Sequence, residues 1–333
     1  MSKKTLGGLD AFRLGAAFLV VAIHTSPLAS FTLTGDVFLT RVAGRLAVPF
    51  FFMVTGHFVL SGPLFGDGDR TRVYRSVKKL LLLYALAILL YLPLGWYAGH
   101  YQGLTLGDLL RLLVFDGTFY HLWYFPACAL GLLLVLCLDR LGKKGLFAGA
   151  GVLYLLGLLG DSYFGLTGFC PLLRQGYEGM FQLFSYTRNG LFFAPLFLLL
   201  GANLGHREPP DRARPWAAGF LVSFAAMTGE AFLLRHLDFP RHDSMYLLLP
   251  VCMVCLYQLL LTSRRPPVPA WRSLSTGIYL IHPAVIAVVH GAAKVLGRTE
   301  LLVENSLVHY LVVCLLSLAA VWVFQRLRAL RLS

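Results

Sequence analysis

Long apolar runs recur along the whole chain, each bounded by a short cluster of charged, glycine or proline residues. Ten segments approach the roughly 20 residues that a helix needs to cross a bilayer core. They are 9–30, 42–62, 76–97, 122–138, 145–160, 189–205, 214–235, 244–262, 273–294 and 307–325. The pattern shows no strict two-residue alternation, which argues against a barrel. Backbone groups in lipid must be satisfied within their own segment, which leaves helices. The segments 122–138 and 145–160 are short and predict less tilted helices or a thin region of membrane. The expected fold is all-α: a polytopic membrane protein of about ten transmembrane helices, one domain over residues 1–333. An even number of crossings puts both termini on the same, cytoplasmic side.

Composition agrees with that picture. The chain is 57% hydrophobic and only 14% charged, against about 25% charged in soluble domains. Its net charge of +13 would suggest a nucleic-acid partner for a soluble protein, but here the charges sit between the spans. One set of connections holds Lys3 and Lys4, then Arg70, Arg72, Arg75, Lys78 and Lys79, then Arg140, Lys143 and Lys144. The same side holds Arg207, Arg212 and Arg214, Arg264, Arg265 and Arg272, and Arg326, Arg328 and Arg331. These nineteen basic residues face nine on the other side, as the positive-inside rule expects. No cleavable leader is evident, because the first apolar stretch contains Arg13 and His24 and is long enough to span. The Cys252-x-x-Cys255 pair lies mid-helix without a βαβ context and reads as packing.

The inward connections 62–75 and 205–215 read as ordinary turns rich in Gly, Asp, Pro and Arg. The outward stretches 98–121 and 161–188 are longer, and loops of that length are often functional. Residues 104–115 have the pattern of an amphipathic helix lying on the outer interface.

Ionisable residues inside spans cost about 2.5–3.5 kcal/mol each on insertion scales, so each is a candidate functional residue. Arg13 and His24 share the first span. Eleven residues at about 100° each return to within about 20° of the same face, about 16 Å further along the axis. Alone, Arg13 also fits snorkelling to lipid phosphates, and His24 a satisfied core hydrogen bond. Together on one face they mark a line from the inner surface into the membrane. His57, Glu230, Tyr279 and His282 are further candidates within spans. His121, Trp123 and Tyr124 also read as an interfacial aromatic anchor, and Glu230 as a residue reaching water. Arg72, Arg75, Lys78 and Lys79 either enforce topology or bind phosphates. No phosphate-binding glycine loop, nucleophile elbow or metal-ligand spacing is present, so no metal is expected.

These residues resemble the acyltransferase-3 family of integral membrane proteins. The resemblance rests on Arg13-x10-His24, the run Arg45–Gly56, the basic start of the third span, His121-Leu-Trp-Tyr124 and Tyr279-Leu-Ile-His282-Pro283. Five pieces in order cover essentially the whole chain. A closer likeness, to the membrane domain of the membrane-bound serine racemases of vancomycin-resistant bacteria, is carried by Tyr120–Pro126, Gly160–Gly165, Tyr186–Pro195 and Pro240–Tyr246. Those proteins carry a cytoplasmic racemase domain after the membrane part, and no such domain is expected within residues 1–333.

The resemblance implies a bacterial cytoplasmic-membrane protein that transfers an acyl group, usually acetyl, from acyl-CoA to an acceptor at or across the bilayer. His24 matches the position implicated in catalysis and Arg13 its paired position, while Tyr279 and His282 are placed to orient the acceptor. Arg72, Arg75, Lys78 and Lys79 match an arginine-rich motif for acyl-CoA, with lysine in part, which binds phosphate as a point charge. A second reading is an L-serine transport module serving a cytoplasmic racemase. The same polar face would then line its pathway, with Arg188 or Arg241 meeting the substrate carboxylate and Glu230 or Asp243 its ammonium, and His57, His121, Trp123 and Tyr124 as further substrate-binding candidates. Neither reading involves nucleic acid.

Overall fold

The computed structural model describes residues 6–330, apart from the side chain of residue 329, so Lys3, Lys4 and Arg331 lie outside the described residues. Fourteen α-helices follow one another: α1 (Gly7–Thr25), α2 (Leu33–Val37), α3 (Ala47–Val59), α4 (Ser61–Phe65), α5 (Thr71–Tyr97), α6 (Leu106–Arg111) and α7 (Tyr124–Leu138). Then come α8 (Gly142–Leu159), α9 (Pro171–Met180), α10 (Ala194–His206), α11 (Arg214–His236), α12 (Leu249–Leu261), α13 (Pro269–Val295) and α14 (Ser306–Leu330). Among the described residues there is no strand.

Each of the ten apolar segments contains a helix, but among the described residues only seven stretches are long and apolar enough to cross a membrane: 7–25, 33–59, 71–97, 124–159, 214–236, 269–295 and 306–328. Two physical reasons reduce the number. The 13-residue helices α10 and α12 reach only about 20 Å at 1.5 Å per residue, short of a hydrocarbon core of about 30 Å. The helices α7 and α8 are separated by a single tight turn at Asp139–Leu141, so 124–159 forms one continuous stretch. The amphipathic segment 104–115 is helical over most of its length, as its pattern predicts. A reciprocal cap starts α6: Thr105 Oγ1 accepts from the Asp108 amide at 3.2 Å while Asp108 accepts from the Thr105 amide at 3.0 Å.

The chain divides into two compact units, one made of Met1–Val48 with Leu259–Ser333 and the other of Pro49–Gln258. In the first, Ala17 and Val21 of α1 pack with Ile278, Val285 and Val289 of α13 and Val313 and Val321 of α14. α1 and α13 start from the same end, where the Gly7 amide donates to the Arg265 carbonyl at 3.2 Å. In the second unit, α3 and α10 approach through glycines. A Cβ on Gly56 would meet the Leu198 carbonyl, and one on Gly201 the Met53 carbonyl. Small residues let helix backbones meet where lipid offers no hydrophobic drive for association.

Candidate functional site

The first apolar segment was expected to run to residue 30, yet α1 stops at Thr25. Ser26 takes a left-handed conformation (φ 46°) before Pro27, and a residue preceding proline is pushed out of the helical region. His24 therefore stands in the last turn of α1, about 26 Å from its start. Its ring stacks on that of His282 from α13, with centroids 5.3 Å apart and planes 24° from parallel. Two residues 258 positions apart in sequence are thus one site, formed wholly within the first unit. The Tyr279 ring lies 6.3 Å from His282.

His282 owes its orientation to its neighbour in sequence. Pro283 has no N–H, so the Tyr279 carbonyl four residues back loses its usual helical partner. The His282 Nδ1 takes that place at 2.9 Å, and also lies 3.1 Å from the Ile278 carbonyl. A carbonyl only accepts, so Nδ1 carries the proton and Nε2 carries the lone pair. The Tyr-x-x-His-Pro spacing thus fixes which nitrogen of a buried imidazole carries the proton.

At the other end of α1, Asp10 is 1% exposed and accepts from Arg272 Nε at 2.8 Å and from the Val268 amide at 3.0 Å. Sequence reasoning missed this pair, reading Arg272 as a topology charge and passing over Asp10. The available signal was that Asp10 shares the face of Arg13, three residues on, and His24. A cavity of about 400 Å³ lined by Gly8, Ala11, Phe12, Gly15 and Arg265 opens on the opposite face of α1, away from the two histidines.

The other candidates belong to the second unit. Arg72, Arg75, Lys78 and Lys79 are exposed on α5, within about a third of its circumference, while Val73 and Val77 are buried on the other side. Such a strip fits a polyphosphate by charge. His121 and Trp123, also read as an outward aromatic anchor, are 1% and 8% exposed. His121 packs on Tyr91 at 4.7 Å, Tyr124 stacks on Phe52 at 4.9 Å, and His57 lies 4.7 Å from Phe58. The Arg188 guanidinium sits over the Tyr186 ring at 4.4 Å and the Trp123 ring at 5.1 Å, which brings Arg188 and Trp123 together. Glu230 and Asp243 are otherwise engaged. Glu230 accepts from the Leu247 and Leu248 amides and from the Tyr163 hydroxyl, capping the approach to α12. Asp243 pairs with Arg235 at 2.6 Å.

A family model described as an acyltransferase domain matches residues 6–326, from the first turn of α1 to the last turns of α14. The chain belongs to the acyltransferase-3 family. It is also 40% identical over 319 residues to an amino-acid racemase of Enterococcus faecalis, covering 94% of this chain and 44% of that protein. A serine/alanine racemase of Enterococcus gallinarum is 39% identical over 326 residues, covering 96% of this chain and 46% of that protein. The chain spans about half the length of these curated relatives. No solved structure matches it. In this multi-pass membrane member of the acyltransferase-3 family, Arg13 and His24 stand on one helix, and the second histidine comes from α13.

Proposed function

We propose that this protein transfers an acyl group, acetyl in the simplest case, from cytoplasmic acyl-CoA to a hydroxyl or amine acceptor at or across the bacterial cytoplasmic membrane. The stacked His24–His282 pair carries this reading. In it, His24 takes the proton of the acceptor hydroxyl as the oxygen bonds to the acyl carbon. The C–S bond breaks, and the imidazolium returns that proton to the departing thiolate. An imidazole can both accept and return a proton, as the two transfers need. His282 holds the neighbouring ring in place, and Tyr279 orients the acceptor. Arg72, Arg75, Lys78 and Lys79 attract the phosphates of the donor by charge, and Arg13 shares the helix face of His24. The bias of basic residues favours about ten crossings with both termini cytoplasmic, which puts the α5 strip on the donor's side.

Thiol release from acetyl-CoA by protein in lipid vesicles tests the proposal. Release should require His24, and a His24→Ala protein with undiminished release would refute it.

A second reading has one observation in its favour: the curated relatives are named racemases and are about twice as long as this chain. In that reading the domain supplies L-serine to a cytoplasmic racemase partner, with Arg188 meeting the carboxylate. Uptake of labelled serine into protein-loaded vesicles above that of empty ones is its expected outcome, and no excess uptake would end it.

A further inference from the structure

The acyl-transfer reading leaves unused the end of the second unit where α8 finishes. A cavity of about 540 Å³ lies there, lined by Leu156 of α8, by Leu172, Leu173, Tyr177 and Met180 of α9, and by Phe192. That size is typical of small-molecule sites. The lining is almost wholly apolar, and the Tyr177 hydroxyl is already spent, donating to the Leu156 carbonyl at 2.6 Å. Gly176 also lines the cavity, and a Cβ built on it meets nothing within 4 Å.

The apolar wall continues into an aromatic cluster that carries two guanidinium groups. Phe164, Tyr177 and Phe181 have ring centroids within 5.7–6.3 Å of one another. Arg174 lies over Phe164 at 4.2 Å, and Arg241 over Phe181 at 3.5 Å. At about 100° per residue, Arg174 stands about 60° beyond the edge of the α9 face that lines the cavity, within reach of its long side chain. Burial pulls Arg241 below its ordinary pKa; Tyr186, Asp161 and Asp116 oppose this, and the charge of Arg174 adds to it. The nearby anions have other partners. Asp161 accepts from the Ser244 and Met245 amides, Asp116 from the Ser185 amide, and Glu178 pairs with Arg174 at 3.0 Å. Arg241 itself donates to the Ser185 carbonyl at 2.7 Å.

We propose that this cavity and its two arginines form a binding site for an anionic membrane lipid, with a hydrocarbon chain in the cavity and the phosphate between Arg174 and Arg241. An anion there relieves the repulsion of the two cations, and an acyl chain covers apolar surface that no protein group covers. The site is separate from the histidine pair, and the proposal does not depend on acyl transfer.

Native mass spectrometry of the detergent-solubilised full chain, mixed with equal amounts of phosphatidylglycerol and phosphatidylcholine, tests it. The protein should retain phosphatidylglycerol in preference, and each arginine should contribute about fivefold to that preference. Arg174→Gln should reduce the ratio, and Arg174→Gln with Arg241→Gln should bring it close to one. Gly176→Leu, which fills open space without a clash, should lower retention of both lipids. Thermal melting of each variant separates loss of the site from loss of the fold, and Arg174→Gln, at a half-exposed position, covers the case in which the double variant misfolds. Equal retention of the two lipids by the unaltered protein would overturn the proposal. So would an unchanged ratio in Arg174→Gln, or displacement of the lipid by millimolar inorganic phosphate, which would mark a phosphate site.

Discussion

At the scale of the residue, the site depends on the orientation of one imidazole. Pro283 frees the Tyr279 carbonyl, His282 Nδ1 donates to it, and Nε2 is left with the lone pair. Pro283→Ala restores a backbone N–H that competes for the same carbonyl. The expected result is a loss of transferase kcat by one to two orders of magnitude, the usual cost of a misplaced catalytic group, with helix content unchanged by circular dichroism. Unchanged kcat would remove the role assigned to the proline. The sequence made Arg13, His24, Tyr279 and His282 visible, because ionisable groups in apolar runs stand out and because their spacing resembles a known family. It left the engagement of Glu230 hidden. A carboxylate in a span reads as a ligand for an ammonium group. Its actual partners, the amides before α12, lie 17 and 18 residues further along the chain and come near only when the chain folds.

At the scale of the element, two features fix the helices. Asp10 ties the start of α1 to α13 through Arg272, whose side chain is 36% exposed. Asp10→Ala removes a charge-assisted hydrogen bond, and the folded state should lose about 1.5–3 kcal/mol, discounted toward the lower figure because Arg272 still reaches solvent. A fall in the detergent melting temperature checks it. The glycine contact of α3 with α10 is less forgiving. Gly201→Leu places carbon where the Met53 carbonyl stands, and overpacking of this kind costs about 1–3 kcal/mol or more. A large drop in melting temperature is expected, whereas Gly229→Leu, with open space around its Cβ position, should melt like the parent. Apolar periodicity found every long helix, since each must hide its backbone from lipid. It overran the end of α1 because Ser26 and Pro27 stop that helix by backbone geometry, which hydropathy does not register.

At the scale of the whole molecule, orientation is the property that charge bias argues and geometry does not display. Two native cysteines report on it. Cys137, in the last turn of α7, and Cys170, just before α9, are both exposed. With the α5 basic strip on the cytoplasmic side, a membrane-impermeant maleimide added to intact cells should modify Cys170 and spare Cys137 until the membrane is opened. The reverse pattern would invert the topology.

In the proposed reaction His24 and His282 act together in acyl transfer. Acetyl-CoA thiol release in vesicles, measured for His24→Ala, His282→Ala and the double variant, tests it most directly. The account predicts that each single variant loses about as much as the double, because groups that work as a unit are strongly non-additive. Full release by either single variant, or losses that simply multiply, would contradict it.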